Sequence, residues 1–313
     1  MLTFIIRRIL AGIVLLFVIS FIAFLFLYAG SGDIARKILG QNATAETVAQ
    51  KAEELGLNRP ILVQYWDWLT SAVTGDFGRS WFTGQLVSVS LSSRLAVTLS
   101  LVVGAILVSA ILSVLLGVLA ARRGGGVDGT VQFISMLGFA IPGFLVALFL
   151  VLIFAINLGW FKATGYIPIT TSFTGWLSSV TLPIAALALG AIASVTQQVR
   201  GSVIDGLSRD YVRTLRSRGL SSNRVVYKHV LRNAGGPALA VLSVQFIGLL
   251  GGAIIVEQVF ALPGMGQLTV SATTVGDIPV VMGVVIVFAV IVVIVNLLID
   301  LAQAALNPKV RLS

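Results

Sequence analysis

The side chains best suited to recognising another molecule are concentrated in one polar stretch, residues 200–237. It reads RGSVIDGLSRDYVRTLRSRGLSSNRVVYKHVLRNAGGP and holds eight Lys and Arg residues against two acidic ones, Asp205 and Asp210. Guanidinium groups pair with carboxylates and phosphates through forked hydrogen bonds. The composition therefore predicts ionic recognition of a partner. Residues 200–236 are called the basic segment below.

The first half of the basic segment predicts an amphipathic helix over about residues 209–218. Ser208 is suited to cap its start, and Asp210 lies in its first turn, where a carboxylate interacts favourably with exposed amide dipoles. The four-residue spacing separates an apolar stripe from a basic face. The apolar stripe comprises Leu207, Tyr211 and Leu215. The basic face comprises Arg209, Arg213 and Arg216.

Gly219 is placed to end this helix in a left-handed conformation. A second helix is predicted from Ser221 or Ser222 to Asn233. Its last turns carry Lys228, His229 and Arg232, cations that suit the negative end of a helix dipole. The run Gly235-Gly236-Pro237 then predicts a turn into the next apolar block.

Two short helices joined at a glycine form a projection, and two roles are open for it. Tyr211 and Leu215 could anchor it in a groove on a soluble partner, with the arginines on acidic rim groups. Alternatively, the pair could lie on the membrane surface with its arginines on anionic lipid headgroups. The residue types and their spacing do not distinguish these two roles.

Motifs for independent chemistry are missing from the sequence. There is no cysteine, and the one histidine, His229, has no H-E-x-x-H context. No Gly-Lys pair forms a phosphate-binding loop, and no serine sits in a G-x-S-x-G elbow. The sequence therefore predicts no catalytic site, no metal site and no ATP motor in this chain.

Composition places the chain in a membrane. It has 313 residues, of which 57% are hydrophobic and 11% charged, and its mean hydropathy is +1.02. A soluble domain would carry about a quarter charged residues. Six apolar spans are predicted at about residues 9–29, 95–121, 131–157, 177–199, 238–259 and 279–303. They carry few ionisable groups (Glu257 and Asp300 lie near span ends), which disfavours an ion-driven transporter.

Charge sets the predicted orientation. Arg7, Arg8, Arg122, Arg123, the basic segment, Lys309 and Arg311 together supply 14 of the 21 basic residues and all fall on one side of six spans. The positive-inside rule then places both termini in the cytoplasm. Three parts result: an N-terminal transmembrane helix (residues 1–30), an extracytoplasmic segment (31–93) with helices at about 45–55 and 61–73, and a five-helix core (94–313).

Several separated motifs resemble one known family. These are DYVRT at 210–214, RSRGL at 216–220 and HVLRN at 229–233; LGLNRP at 55–60 and GDFGRS at 75–80; and VEQVF at 256–260 with PGMG at 263–266. They are similar to the permeases of ABC importers of the dipeptide, oligopeptide and nickel branch, specifically the first permease of the pair. The resemblance covers nearly the whole chain.

The resemblance implies an all-α type I importer permease fold in the plasma (inner) membrane. The implied partners are a second homologous permease, two cytoplasmic ATPase subunits that bind ATP and Mg, an extracytoplasmic substrate-binding protein and membrane lipid; no nucleic acid is implied. The basic segment would be the ATPase-coupling loop. Its implied contact residues are Leu207, Asp210, Tyr211, Arg213, Leu215, Arg216, Gly219, His229, Arg232 and Asn233.

A pathway or gate is implied after the fifth span. Its candidate residues are Gly248, Gly252, Glu257, Phe260, Pro263, Gly264 and Met265. The glycines also suit close helix packing. Short peptides are the expected substrate, with nickel chelates or glutathione as alternatives; an ion-coupled secondary transporter and a membrane scaffold are the other classes considered.

Overall fold

The structure is a computed structural model that describes residues 2–30 and 34–306. Its helices are α1 Leu2–Ala29, α2 Ile34–Leu39, α3 Ala45–Glu54, α4 Ile61–Val73, α5 Val87–Arg123, α6 Gly125–Ala140, α7 Gly143–Leu150, α8 Phe173–Ser208, α9 Asp210–Ser217, α10 Ser222–Arg224, α11 Leu231–Val259, α12 Met265–Val275 and α13 Ile278–Leu306. Helix α7 continues as a π-helix over Val151–Asn157, and a second π-helix, Val225–Val230, joins α10 to α11. Lys309 and Arg311, used above for orientation, lie outside the described residues.

The predicted all-α membrane fold is confirmed, with one of its spans bent. In the described ranges, five helical stretches are long and apolar enough to cross a membrane, the bounds being Ile5–Tyr28, Val87–Arg123, Phe173–Ser208, Ser222–Val259 and Ile278–Leu306. The sixth is a bent pair, Gly125–Ala140 with Gly143–Asn157, whose axes differ by 97°. The span predicted at 131–157 therefore corresponds to this bent pair, which is the sixth span if the pair is counted as one.

The bend has a local cause. Pro142 has no backbone N–H and disfavours helical geometry in the residue before it, and Ile141 is extended at φ −88° and ψ 119°. Helix α7 then restarts from Pro142, whose carbonyl accepts hydrogen bonds from the amides of Leu145 and Val146. Proline at the start of a helix costs no hydrogen bond.

The chain divides into two compact units. The larger comprises Met1–Phe4, Val97–Leu262 and Ile294–Ser313, and the smaller comprises Ile5–Ala96 and Pro263–Val293. In the larger unit, α8 packs on α5, α6, α7 and α11. Ser109 and Ser113 of α5 donate to the carbonyls of Ala188 and Ile192 at 3.3 and 3.1 Å, so polar groups link two apolar helices.

The smaller unit is organised around aromatic side chains. Tyr65 of α4 is buried against Phe17, Phe21 and Phe24 of α1, with ring centroids 5.1–5.9 Å apart, and its hydroxyl lies 2.9 Å from that of Ser20. Helix α4 therefore packs along the middle of α1. The helices predicted at 45–55 and 61–73 are confirmed as α3 and α4.

Candidate functional site

The apolar stripe of the basic segment faces the interior of its own unit. Val212 of α9 is fully buried, and Tyr211 and Leu215 are half-buried. They pack against a cluster that includes Val225 and Val230 of the second π-helix. Burial of this apolar area holds α9 against α8 and the second π-helix. Tyr211 and Leu215 stay partly exposed, and their role as anchors in a partner groove stays a prediction.

The outward surface of the basic segment is polar. The side chains of Arg213 and Asp210 are 84% and 99% exposed and lie 4.0 Å apart. The other exposed cations of the segment are Arg209, Arg216, Arg218, Arg224, Lys228 and Arg232. A surface of this kind is suited to acidic groups on a partner. We call the exposed face of α9, formed by Asp210, Arg213 and Arg216, the arginine face.

The end of α9 is as predicted. Gly219 has φ +82°, the left-handed region. Its amide donates to the carbonyl of Arg216 at 2.9 Å, and the amide of Leu220 donates to that of Leu215 at 3.2 Å. This pair of hydrogen bonds is a Schellman motif, which requires a left-handed residue and so favours glycine. The chain therefore reverses sharply at Gly219.

The start of α9 differs from the prediction. Ser208 is the last residue of α8, and its hydroxyl donates to the carbonyl of Asp205 at 2.8 Å. The residue that precedes α9 is Arg209, in extended conformation at φ −74° and ψ 148°. The capping role assigned to Ser208 is therefore wrong, because its side chain closes the helix before it.

The second predicted helix does not end at Asn233. It continues through the π-helix into α11, so Gly235-Gly236-Pro237 makes no turn and Pro237 lies inside α11. Gly235 has a packing reason instead: a Cβ there would lie 2.9 Å from Leu306 Cδ1 of α13. His229 is half-buried in the π-helix, and the Asn233 amide lies 3.4 Å from the Tyr211 hydroxyl. The second part of the basic segment, from Ser222 onward, and the fifth span are thus one helical rod, Ser222–Val259.

An ion pair at the start of the basic segment was not anticipated. The guanidinium of Arg200 on α8 donates to both carboxylate oxygens of Asp128, the Nη2–Oδ2 bond being 2.5 Å. The two side chains are 21% and 17% exposed. The sequence feature that could have indicated this pair is the acidic residue Asp128, which follows shortly after Arg122 and Arg123. This forked pair ties the first turn of α6 to α8.

Two of the candidate pathway residues line a cleft. Gly248 and Gly252 of α11 face Gly190 of α8 and the bend at Pro142 across a space of about 400 Å³. Nothing in the described chain lies within 4 Å of a Cβ built at Gly248. Gly248 therefore leaves room here, whereas a Cβ at Gly252 would lie 3.3 Å from Leu187 Cδ2. The lining is almost wholly apolar, with Gln245 as its amide-bearing side chain.

The other candidate pathway residues in the larger unit are enclosed. Glu257 is 0% exposed and accepts a hydrogen bond from the Thr98 hydroxyl at 2.5 Å, which links α11 to α5. Phe260 is 1% exposed, and its carbonyl accepts from the amide of Gly165 at 3.0 Å. Next to it, Ala261 has φ +49°. Glu257 and Phe260 thus link α11 and the residue after it to other segments of the larger unit.

The smaller unit holds the remaining candidates. Pro263 is exposed, Gly264 precedes α12, and Met265 is 0% exposed in an apolar core. Nearby in sequence, buried Asp277 accepts hydrogen bonds from the Ser80 hydroxyl and, at 3.2 Å, from the Trp81 amide. No motif in the sequence indicated this pair. It fixes the loop after GDFG to the start of α13.

The described residues contain no group of three or more His, Asp or Glu side chains placed to hold a metal ion.

Comparisons with known proteins cover nearly the full chain. A family described as "binding-protein-dependent transport system inner membrane component" matches residues 113–312, and its N-terminal companion family matches residues 1–102. A probable peptide ABC transporter permease of Sinorhizobium fredii is 37% identical over 98% of this chain and 99% of that one. The glutathione transport system permease of Escherichia coli K12 is 35% identical over 99% of both.

A solved structure is similar in fold. An inward-facing form of the MetNI methionine ABC transporter superposes with a TM-score of 0.54 at 17% identity, over 69% of this chain and 95% of that chain.

Proposed function

The chain belongs to the family of binding-protein-dependent transport system inner membrane components, and we propose that it lines half of the translocation pathway of an importer for short peptides. It is a multi-pass permease subunit of an ABC importer. The observation that carries the mechanism is the arginine face, which is exposed on a helix that packs against α8 and the second π-helix. We propose the cytoplasmic side of the membrane for this face, on the distribution of basic residues.

The partners follow from this assignment. We propose a second homologous permease, two ATPase subunits that bind ATP and Mg, and an extracytoplasmic binding protein that delivers the substrate. The proposed contact with an ATPase is through Arg213 and Arg216, with Asp210 at the edge of the surface. Tyr211 and Leu215 hold α9 in position from its inward face. His229, Arg232 and Asn233 extend the proposed contact surface along the helical rod Ser222–Val259.

The continuity of the second helix supports a simple mode of coupling. The stretch Ser222–Val259 has 38 residues, which at 1.5 Å per residue is about 57 Å. Gly248 and Gly252 lie on the same rod and line the cleft. A displacement imposed on α9 therefore passes through the buried valines into the helix that borders the proposed pathway.

The docking proposal is tested by charge reversal on the arginine face. We expect the double variant R213E/R216E to insert normally but to lose the ATPase subunits during purification, because four units of charge change on an exposed surface. The matched control is R36E/K37E, which makes the same charge change at exposed positions of α2. Equal recovery of ATPase subunits with R213E/R216E and with the unaltered chain would refute the docking role.

The pathway proposal is tested by filling the cleft. G248W places an indole where the structure leaves room, so we expect transport by the reconstituted importer to be lost while the ATPases stay bound. V244W is the control: Val244 is 68% exposed, lies one turn away and does not line the cleft. Uptake by G248W at the level of V244W would contradict the pathway role.

Short peptides are the proposed substrate for two reasons. Relatives named as peptide and glutathione permeases match the chain from end to end, and the cleft is nearly free of charged groups, which suits solutes of varied side chain. Glutathione is itself a short peptide, whereas nickel chelates gain no support from the lining residues. Uptake by reconstituted vesicles, compared for a labelled dipeptide, glutathione and a nickel chelate, distinguishes the three.

A further inference from the structure

A second cavity lies on the surface of the larger unit, away from the proposed pathway. It is a groove of about 440 Å³ along the last three turns of α5, bordered by Leu115 and Leu119 and closed at one end by Arg122, Arg123 and Tyr227. Leu115 and Leu119 are 59% and 38% exposed. The groove is thus apolar along its length and cationic at one end.

The cationic end is ordered by contacts within the chain. The guanidinium of Arg122 donates to the side-chain oxygen of Asn223 at 2.6 Å and lies 5.7 Å from the ring centre of Tyr227. Among the described residues, neither Arg122 nor Arg123 forms a salt bridge. Two positive charges are therefore held at the mouth of an apolar groove, and no carboxylate in residues 2–30 and 34–306 forms an ion pair with them.

The dimensions match one leaflet of a bilayer. The groove spans residues 114–123, which is about 14 Å of helix at 1.5 Å per residue. Half the hydrocarbon thickness of a membrane is about 15 Å. Tyrosine and arginine at the polar end are the residue types that occupy the level of the lipid headgroups.

We propose that this groove is a binding site for an anionic phospholipid. One acyl chain lies against Leu115 and Leu119, and the headgroup phosphate accepts hydrogen bonds from Arg122 and Arg123 beside the Tyr227 ring. Because Asn223 and Tyr227 belong to the basic segment, a lipid bound here also contacts the base of the proposed coupling element. The site is independent of which solute is transported.

The test is a titration of the purified full-length chain in detergent with phosphatidylglycerol and with phosphatidylcholine of the same acyl chains, followed by native mass spectrometry. We expect at least a tenfold preference for phosphatidylglycerol. R122Q/R123Q should reduce phosphatidylglycerol binding about tenfold. L115W, which fills the groove without changing charge, should reduce it similarly, and this distinguishes a lipid from a free phosphate. R216Q/R218Q removes two charges elsewhere in the same region and should leave binding unchanged.

Three results would overturn the proposal. The first is equal binding of the two lipids. The second is an equal loss in R122Q/R123Q and R216Q/R218Q, which would indicate diffuse attraction to a basic surface. The third is that the assembled importer retains no lipid while L115W blocks association of the second permease, which would assign the groove to a partner helix. Leu115 is exposed, so L115W is expected to fold; an unchanged circular dichroism spectrum checks this.

Discussion

The forked ion pair between Asp128 and Arg200 can be measured by a double-mutant cycle. Both side chains are largely covered, at 17% and 21% exposure, and two parallel hydrogen bonds join them. Exposed ion pairs contribute about 0–1 kcal/mol, whereas a hydrogen bond to a charged group contributes about 1.5–3 kcal/mol. Because this pair is mostly covered and bidentate, we expect a coupling free energy of about 2 kcal/mol.

The individual variants follow from that value. D128N and R200Q should each lower the free energy of unfolding by about 2–3 kcal/mol, since each leaves a covered charge without its partner. The double variant should cost no more than either single one. R200K keeps the charge but loses the fork, and we expect a loss of about 1 kcal/mol from the missing hydrogen bond.

The measurement is unfolding of the chain in mixed micelles by titration with SDS, followed by circular dichroism. The pair Lys51–Glu54, at 2.9 Å and with 65% of the Glu54 side chain exposed, is the control; its cycle should give less than about 0.5 kcal/mol. A coupling energy for Asp128 and Arg200 as small as that of the control would show that the covered, forked geometry adds no stability and would refute the expected value.

Three further variants test local conformation and burial. A261G should raise the free energy of unfolding by about 1 kcal/mol, because glycine adopts φ +49° without the Cβ conflict of alanine; the same titration measures it, and a loss of stability would count against strain at this position. G219A should lower the free energy of unfolding by about 1 kcal/mol, because it places a Cβ at φ +82°. Unchanged stability of G219A would contradict this prediction. T98V removes a donor to buried Glu257 at nearly constant volume and should cost about 2 kcal/mol, whereas a neutral effect would mean that Thr98 does not stabilise the carboxylate.

Local patterns in the sequence predicted local structure well. Gly219 ends α9 in the predicted left-handed conformation, and the apolar runs mark the spans, because both depend on neighbouring residues. Periodicity also identified the stripe of Tyr211 and Leu215. It did not show that this stripe packs inward, since an apolar face can meet the chain's own core or a partner equally well.

Contacts between residues far apart in the chain could not be predicted from the sequence. Arg200 lies 72 positions from Asp128, and Ser80 lies 197 from Asp277, so no spacing rule connects either pair. Pro142 and Pro237 illustrate a second difficulty. One bends its helix and the other lies inside a continuous one, because neighbouring helices decide whether a proline in a membrane span is accommodated.

The bend between α6 and α7 affects how long the chain is expected to survive in the membrane before assembly. At Ile141 and Pro142 the helical ladder is interrupted, so the last carbonyls of α6 and the first amides of α7 leave it. Against lipid acyl chains such groups are costly, and they are tolerated at membrane depth where protein or water covers them. We therefore expect the chain synthesised without the proposed second permease to be removed quickly by membrane proteases, with a longer pulse-chase half-life on co-expression. The bend would then serve quality control, marking subunits that have not assembled.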